Sequence, residues 1–480
     1  MRFISETELV LPIIFVLLIV GSSVFFLKYL LKNNFKSEII VTFLIVLSLT
    51  YGTIYFLIDD VEINGVDIGR HRYLLILFFS AIILFSFFII KSKKDMVTLN
   101  YVLNFVSIIM VSVIIFNVVS FEINDVAFSK LSEPSIIENS FNVAPDIYFI
   151  ILDGYPGEKS LEQNLGYDNS NFLDKMESIG FVNHEISYAN YPHTFLSIPS
   201  MLNMKYLNYL DEILSESRSQ TIPYSMGSDN LVMNTAKSLG YTTFSFDSGW
   251  GFTRSVKSAD LNMCGDNKFL NSEFLINVVK NSILNPIYVK IYESSLVDLK
   301  LCVFDELPKI NEKTDLPIFV FAHIFMPHPP YLFNENGELN DNTTLELNLD
   351  VDSNLNKELF LKQMIFLNSK IFDISKNIIE NEDVIIIIAS DHGTAFTLGG
   401  KSEYFANATD EMISERMDIL LLTYNPKNEP VFDDLHTPVN IFRKLYSHYF
   451  NLEYPTLPDR VYFGKDGYYD LMNKTNLFFN

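Results

Sequence analysis

Only two cysteines, one tryptophan and 35 basic side chains occur in 480 residues. Two cysteines cannot build the multi-bridge framework of a small secreted domain, nor a cysteine-rich zinc site. The shortage of Lys and Arg against 58 Asp and Glu leaves a formal net charge of -23. That excludes a nucleic-acid partner, because phosphate backbones are gripped by a basic face. No complete Walker-type glycine loop is present, which removes the usual cradle for a nucleoside triphosphate. Charged residues of both signs are scarce as well, at 19%, where soluble chains carry about a quarter. The scarcity is local. Residues 1–122 hold 9 basic and 9 acidic side chains, so 26 of the 35 basic and 49 of the 58 acidic ones, and the whole deficit, lie beyond.

What fills the first third is apolar. Four runs, 9–31, 38–58, 73–91 and 98–121, each approach the ~20 residues that a helix needs to cross the hydrocarbon of a bilayer. The first is too long for the apolar core of a signal peptide and lacks a small-residue cleavage site. Residues 1–121 are therefore expected to be a four-span helical membrane anchor, followed by a juxtamembrane linker over 122–144. The first connection carries Lys28, Lys32 and Lys36 and the third Lys91, Lys93 and Lys94, whereas the second holds Asp59, Asp60, Glu62 and Asp67 beside Arg70 and Arg72. The positive-inside rule puts the first and third loops in the cytoplasm. Both termini, and everything after residue 122, are then extracytoplasmic.

From Pro145 the pattern changes. DIYFIIL (146–152), YTTFSFD (241–247), PIFVFAHIF (317–325), DVIIIIAS (383–390) and DILLLTY (418–424) are apolar, β-rich runs of strand length. Amphipathic stretches such as 169–180, 229–239 and 355–381 separate them. Continuous apolar strands alternating with helices predict an α/β domain over 145–480, with a mostly parallel sheet covered by helices on both faces. In such sheets ligands bind beyond the carboxyl ends of the strands.

Three of those ends carry reactive side chains. The first run ends in Asp153-Gly154, the fourth in Asp391-His392-Gly393, and the third holds His323 with His328 just past it. Two carboxylates and an imidazole at one sheet edge suit a divalent metal with mixed oxygen and nitrogen ligands. A nucleophile is offered by NYPHTFLSIPSMLNM (190–204): Thr194 follows a Pro-containing extended segment and opens an apolar helical run. Its hydroxyl would sit at a helix N-terminus, where anions are favoured. The plain alternative is an N-cap, and Ser197 and Ser200 are rival hydroxyls. His193 adjoins Thr194 but points the opposite way if the segment is extended. Cys264 and Cys302 both fall outside the membrane; their spacing leaves open whether they pair.

Taken in order, LDGY, T-x-L-S-x-P-S-M, H-x-x-x-x-H-P-P-Y and S-D-H-G resemble the alkaline phosphatase superfamily in its membrane-anchored sulfatase-like branch. The run TFLSIPSML is similar to the nucleophile segment of phosphoethanolamine transferases, and the layout of anchor plus external domain resembles theirs and that of lipoteichoic acid synthases. The resemblance implies an alkaline-phosphatase-like fold. It further implies Thr194 as the nucleophile, Asp153, Thr194, Asp391 and His392 as ligands of one divalent ion, Zn or Mn, and His323 and His328 as catalytic histidines that bind phosphate oxygens or protonate the leaving group. The partners it implies are a membrane lipid as donor and a lipid-linked or surface glycan as acceptor; oligomeric state is left open. The chain departs from true sulfatases. Met201 replaces the Arg of their C/S-x-P-x-R pattern, and DSGWGF (247–252) lacks the Lys and His of their G-K-W-H segment. Transfer of a phospho-alcohol group is thus expected ahead of phosphate- or sulfate-ester hydrolysis, and glycan binding without catalysis is the third alternative. The acidic surface favours a zwitterionic or neutral donor over a strongly anionic one.

Overall fold

The computed structural model describes residues 6–58, 62–63, 66–67, 70–126, 144–214, 217–265, 273–340, 354–380, 383–397, 407–426, 429–464 and 467–479. Most of the expected linker (127–143), and Asp59 and Asp60 of the second loop, lie outside the described residues. The chain forms two compact units, one of Met1–Glu133 with Asn267–Ser295 and one of Pro134–Asp266 with Leu296–Asn480. One part of the boundary drawn from sequence differs from this division: the described residues 273–295 fall within the run assigned to the external domain, yet group with the helices of the first third.

In the first unit, all four apolar runs are helical: α1 (Glu6–Leu31), α2 (Asn34–Ile58), α3 (His71–Lys91) and α4 (Val97–Val126). Three of them are long and apolar enough to cross a membrane, and the described apolar part of the fourth, Val97–Val113, is shorter. Their outward residues, such as Leu17, Phe25, Leu77 and Phe105, remain more than half exposed, as expected of side chains whose solvent is lipid. Polar side chains order one face of the bundle. Lys36 Nζ donates to the carbonyls of Ile90 (3.0 Å) and Ser92 (2.8 Å), at the C-terminus of α3, where the helix dipole favours a cation. Asn100 Nδ2 donates to Glu38 at 2.6 Å. The starts of α2 and α4 and the end of α3 therefore share one face, and α2 and α4 run the same way towards the other.

The second unit is built on a seven-stranded sheet. Its strands in chain order are β1 (Asp146–Leu152), β2 (Val182–Asn183), β3 (Thr242–Phe246), β4 (Leu261–Met263), β5 (Ile318–Ile324), β6 (Val384–Ser390) and β7 (Leu421–Tyr424). They lie in the order β2-β7-β6-β1-β5-β3-β4. The five strands read from sequence are all present; the two added are edge strands of two and three residues, too short to show a pattern. Pairing is parallel from β6 through β4, and antiparallel only where β7 meets β6 and β2. The central strands β1, β5 and β6 are buried almost throughout, which is why their sequences are continuous Ile, Val and Phe rather than alternating.

Register places the site. Leu152 of β1 pairs with Ser390 of β6, and Ile151 pairs with His323 of β5. Asp153 and Asp391, each one residue further, therefore emerge side by side, with His323 alongside. Gly154 follows at φ +72°, a backbone conformation that costs a residue with a Cβ, and turns the chain away so that Asp153 stays at the strand end.

Candidate metal centre and nucleophile

Asp153, Asp391 and His392 are all buried to within 2% of full burial. Asp391 Oδ1 accepts from the backbone N–H groups of Gly154 and His392, both at 3.0 Å. Its Oδ2 has no hydrogen bond, and neither has Asp153 Oδ1. Two orphaned carboxylate oxygens in a dry interior are costly, at several kcal/mol for each unpaired charge.

The histidines are turned to the same point. His392 Nδ1–H donates to the Gly393 carbonyl at 3.0 Å, so its Nε2 presents a lone pair, 3.1 Å from Thr194 Oγ1, 3.3 Å from Asp391 Oδ2 and 3.9 Å from Asp153 Oδ1. A ring held through one nitrogen by a carbonyl, with the other bare, is the usual posture of a metal-binding histidine. His323 repeats it. Thr253 Oγ1 donates to the Trp250 carbonyl at 2.9 Å and takes the Nδ1–H of His323 at 2.9 Å. With the tautomer set by that network, His323 Nε2 faces Asp153 Oδ2 at 3.1 Å, and two acceptors at that distance need a proton or a cation between them. Asp153, His323 and Asp391 each bring a ligand atom within 4.8 Å of the others. The residues present thus fit a divalent cation. His323, expected as a catalytic histidine, sits among the candidate ligands, while His328 lies at the cavity wall, its ring tilted at 36° against Phe325 and its backbone N–H on the Asp153 carbonyl at 3.1 Å.

Electrostatics agree with the geometry. Burial would raise the Asp153 carboxyl, but His328, His323 and His392 around it hold it well below the usual range. Burial and then the Asp153 charge push Asp391 up to about 6. Burial, helped by Arg416, keeps the His392 imidazole neutral.

Thr194 is the first residue of α5 (Thr194–Leu202) and is 8% exposed. The N-cap is His193, in extended conformation and without a side-chain cap bond. Thr194 is therefore not the cap, and its hydroxyl instead reaches across to His392. Ser200 is committed to the Lys205 carbonyl at 2.7 Å, and Ser197 Oγ is buried without a partner. Above Thr194 opens a cavity of about 430 Å³, lined also by His193, His328, His392, Arg416 and an aromatic wall that includes Phe195, Trp250, Tyr331, Phe396 and Tyr468. His193, which an extended segment would have turned away, thus faces the same cavity, because the chain bends into α5 directly after it. Among the described residues, none of Lys205, Arg254 and Lys257, the nearby cations in the sequence, lines the cavity, nor does any Asp or Glu.

Three supporting residues were not singled out from the sequence. Arg416 donates from Nε to the Pro192 carbonyl at 2.8 Å and from Nη1 to the Gly393 carbonyl at 3.0 Å, tying the segment before Thr194 to the one after His392. Burial lowers its pKa only to about 10, so it stays charged. Its neighbour Glu415, 1% exposed, accepts from Thr394 Oγ1 (2.6 Å), Phe396 N (2.9 Å), Thr397 N (3.0 Å) and the Thr397 hydroxyl. The sequence signal was a Glu-Arg pair directly before a strand run, which reads as an ordinary solvated flank. Glu415→Gln turns one acceptor oxygen into a donor that faces donors, so a loss of roughly 2–3 kcal/mol is expected, read as a lowered thermal midpoint with unchanged secondary structure.

The third is Lys300, 4% exposed, whose ammonium donates to the Phe325 carbonyl. Burial lowers its pKa to about 7, opposed by the charge of Asp153. Because the folded pKa lies below the ordinary value, the unfolded chain holds the proton more tightly, and stability should rise as pH climbs above about 7. Between pH 7 and 9 the climb should amount to about 2–3 kcal/mol. In Lys300→Met the thermal midpoint should lose that slope; a slope equal to that of the unaltered protein would show the lysine is not the cause.

No protein-family model matches the sequence, and no curated protein does. Solved structures do resemble it in outline. The C-terminal periplasmic domain of EcEptC from Escherichia coli is 13% identical over 71% of this chain and 95% of its own, with a TM-score of 0.44. The integral membrane protein lipooligosaccharide phosphoethanolamine transferase A from Neisseria meningitidis is 10% identical over 85% of this chain and 81% of its own, at 0.43. The phosphonate monoester hydrolase of Agrobacterium radiobacter is 11% identical over 66% and 80%, at 0.41. Likeness at that level carries no chemistry across, which has to come from this chain's own atoms.

Proposed function

We propose that the chain is a membrane-anchored, metal-dependent phosphotransferase. It moves a phospho-alcohol group, such as phosphoethanolamine or phosphoglycerol, from a lipid donor to an envelope glycan or lipid through a phospho-Thr194 intermediate. The observation that carries this reading is the Thr194 hydroxyl, buried at a helix N-terminus and 3.1 Å from the bare Nε2 of His392, beside two orphaned carboxylate oxygens.

Asp153, Asp391, His392 and His323 would hold the ion, with the Thr194 hydroxyl as a further ligand. A divalent cation there supplies charge to a phosphoryl oxygen and lowers the pKa of an adjoining hydroxyl. The chain's own residues do the rest. The His392 ring, fixed through Nδ1–H on the Gly393 carbonyl, keeps its ligand nitrogen beside the Thr194 hydroxyl. The first backbone N–H groups of α5 and the Arg416 guanidinium offer positive potential to the phosphate, in a cavity whose described lining residues include no carboxylate. In-line attack would form the Thr194 Oγ–P bond as the bond from phosphorus to the donor's alcohol oxygen breaks; the Thr194 hydroxyl proton leaves to the water of the cavity, and His328, on the cavity wall, gives one proton to the departing oxygen, so the step is proton-neutral. The acceptor hydroxyl then reverses the step and frees Thr194.

The test uses the purified full-length protein with Zn²⁺ or Mn²⁺ and compares labelled phospholipids, soluble phosphodiesters and sulfate esters, each with and without a glycan acceptor. Label should pass from phospholipid to acceptor. Release to water alone would make the chain a hydrolase, and turnover of sulfate esters alone would overturn the phosphoryl assignment.

A further inference from the structure

The segment that leaves the external domain's sequence to join the helices has a second use. Helix Glu273–Lys280 and the turn after it belong to the same unit as α1–α4. The turn is fastened to the side of α2. Gly52 N donates to the Asn281 carbonyl at 3.0 Å, and Thr53 Oγ1 donates to Asn281 Oδ1 at 3.3 Å. A Cβ at Gly52 would collide with the Lys280 carbonyl oxygen and lie 2.6 Å from Asn281 Cα, so glycine is what permits the approach. Ile283 packs on the cluster of Tyr51, Leu74 and Phe78 between α2 and α3. Most polar groups within the turn serve one another: Asn285 Nδ2 donates to the Lys280 carbonyl at 2.6 Å, Asn281 Nδ2 to the Asn277 carbonyl at 2.8 Å and Leu284 N to Ser282 Oγ at 3.2 Å, while Asn285 Oδ1 is buried without a partner.

Depth follows from the anchoring point. Gly52 stands six residues before the end of α2 at Ile58, which is about 9 Å along a helix. That end is the one opposite the face joined by Lys36 and Glu38. At this level of an apolar bundle, Leu284 and Ile287 project their side chains outward, 50% and 61% exposed. They continue the apolar exterior of α2, where Phe56 and Leu57 are 51% and 71% exposed. Lys280 is exposed beside them, placed as a cation at the headgroup level would be.

We infer that residues 280–287 form an elbow immersed in the bilayer leaflet on the side where α2 and α4 end, with Leu284 and Ile287 in its hydrocarbon. The occupant of this surface is lipid, because Leu284 and Ile287 stand exposed at the level of the apolar exterior of α2, and the N–H groups of residues 281, 282, 284, 285 and 287 are hydrogen-bonded within the segment, as non-aqueous surroundings favour. The inference is independent of the chemistry at Thr194.

Single nitroxide labels test it. The chain's two cysteines are bonded to each other, Cys264 to Cys302, so Leu284→Cys and Ile287→Cys give unique labelling sites. Leu44→Cys, on the exposed side of α2, is the hydrocarbon reference, and Lys159→Cys, exposed on the second unit, the aqueous one. With the full-length protein in phosphatidylethanolamine and phosphatidylglycerol nanodiscs, collision with oxygen relative to a water-soluble nickel chelate should be roughly tenfold higher at 284 and 287 than at 159, and near the value at 44. Ratios matching Lys159 would overturn the elbow's immersion. So would shielding from both reagents, which would mean a protein surface covers it, or an aqueous value at Leu44, which would remove the membrane itself. Two elbow positions guard against one substitution that fails to fold.

Discussion

Thr194→Ala should abolish group transfer while leaving the protein folded, with kcat falling by roughly 10⁴-fold or more and KM for the donor little changed. The reasoning is local. Thr194 caps nothing, since His193 holds that position, and its hydroxyl lies 3.1 Å from His392 Nε2 and also against the Asp391 carboxylate. Removing it takes away these polar contacts and a small buried volume, so the stability cost should stay at about 1–2 kcal/mol. Loss of the bond-forming oxygen, by contrast, leaves no covalent route. A drop in kcat without a drop in thermal midpoint separates the nucleophile from a structural threonine. Thr194→Ser keeps the oxygen and should retain measurable turnover, with a label trapped on residue 194 after acid quench. Full turnover in Thr194→Ala would return the assignment to Ser197, the buried hydroxyl without a partner.

How much of this was legible beforehand depended on whether a residue's role is set by its own run or by a distant one. Asp153, Asp391 and His392 were readable because a buried parallel strand announces itself as a block of Ile, Val and Phe, and the residue after such a block must lie at the ligand-binding edge. That the two aspartates are direct neighbours needed the register of β1 on β6, which no single run contains. Thr194 was visible as a helix opener, but that it leaves the cap to His193 and turns its hydroxyl to His392, 198 positions away, could not be read from its own run. Arg416 and Glu415 escaped notice because a charged pair before a strand is ordinarily solvated; only their burial distinguishes them. Lys300 sits in a long helix, Asn285–Glu306, and looks like any lysine on a solvent face. The elbow was hidden for a similar reason: its apolar residues are few, and its partner is a glycine in a membrane helix more than 200 residues earlier.

Metal binding should change the sign of what Asp391 does to stability. Without an ion, Asp153 and Asp391 are a buried like-charge pair, and Asp391 titrates near 6, raised by burial and by Asp153. A folded pKa above the ordinary carboxylate value means that the protonated form is favoured by the fold. Its contribution is therefore present below about pH 4 and lost as pH rises towards 6. Asp391→Asn removes the repulsion and should leave the metal-free protein at least as stable at pH 7 as the unaltered one. With Zn²⁺ or Mn²⁺ the order should reverse. An ion at about 1,000 times its dissociation constant adds about 4 kcal/mol to a protein that binds it only when folded, and Asp391→Asn should lose most of that, together with the bound metal and the turnover. Thermal midpoints of both proteins with chelator and with added ion, beside metal content by mass spectrometry, read the crossing directly. If the two proteins gain equally on addition of metal, the ion sits elsewhere, and the orphaned oxygens of Asp153 and Asp391 need another partner.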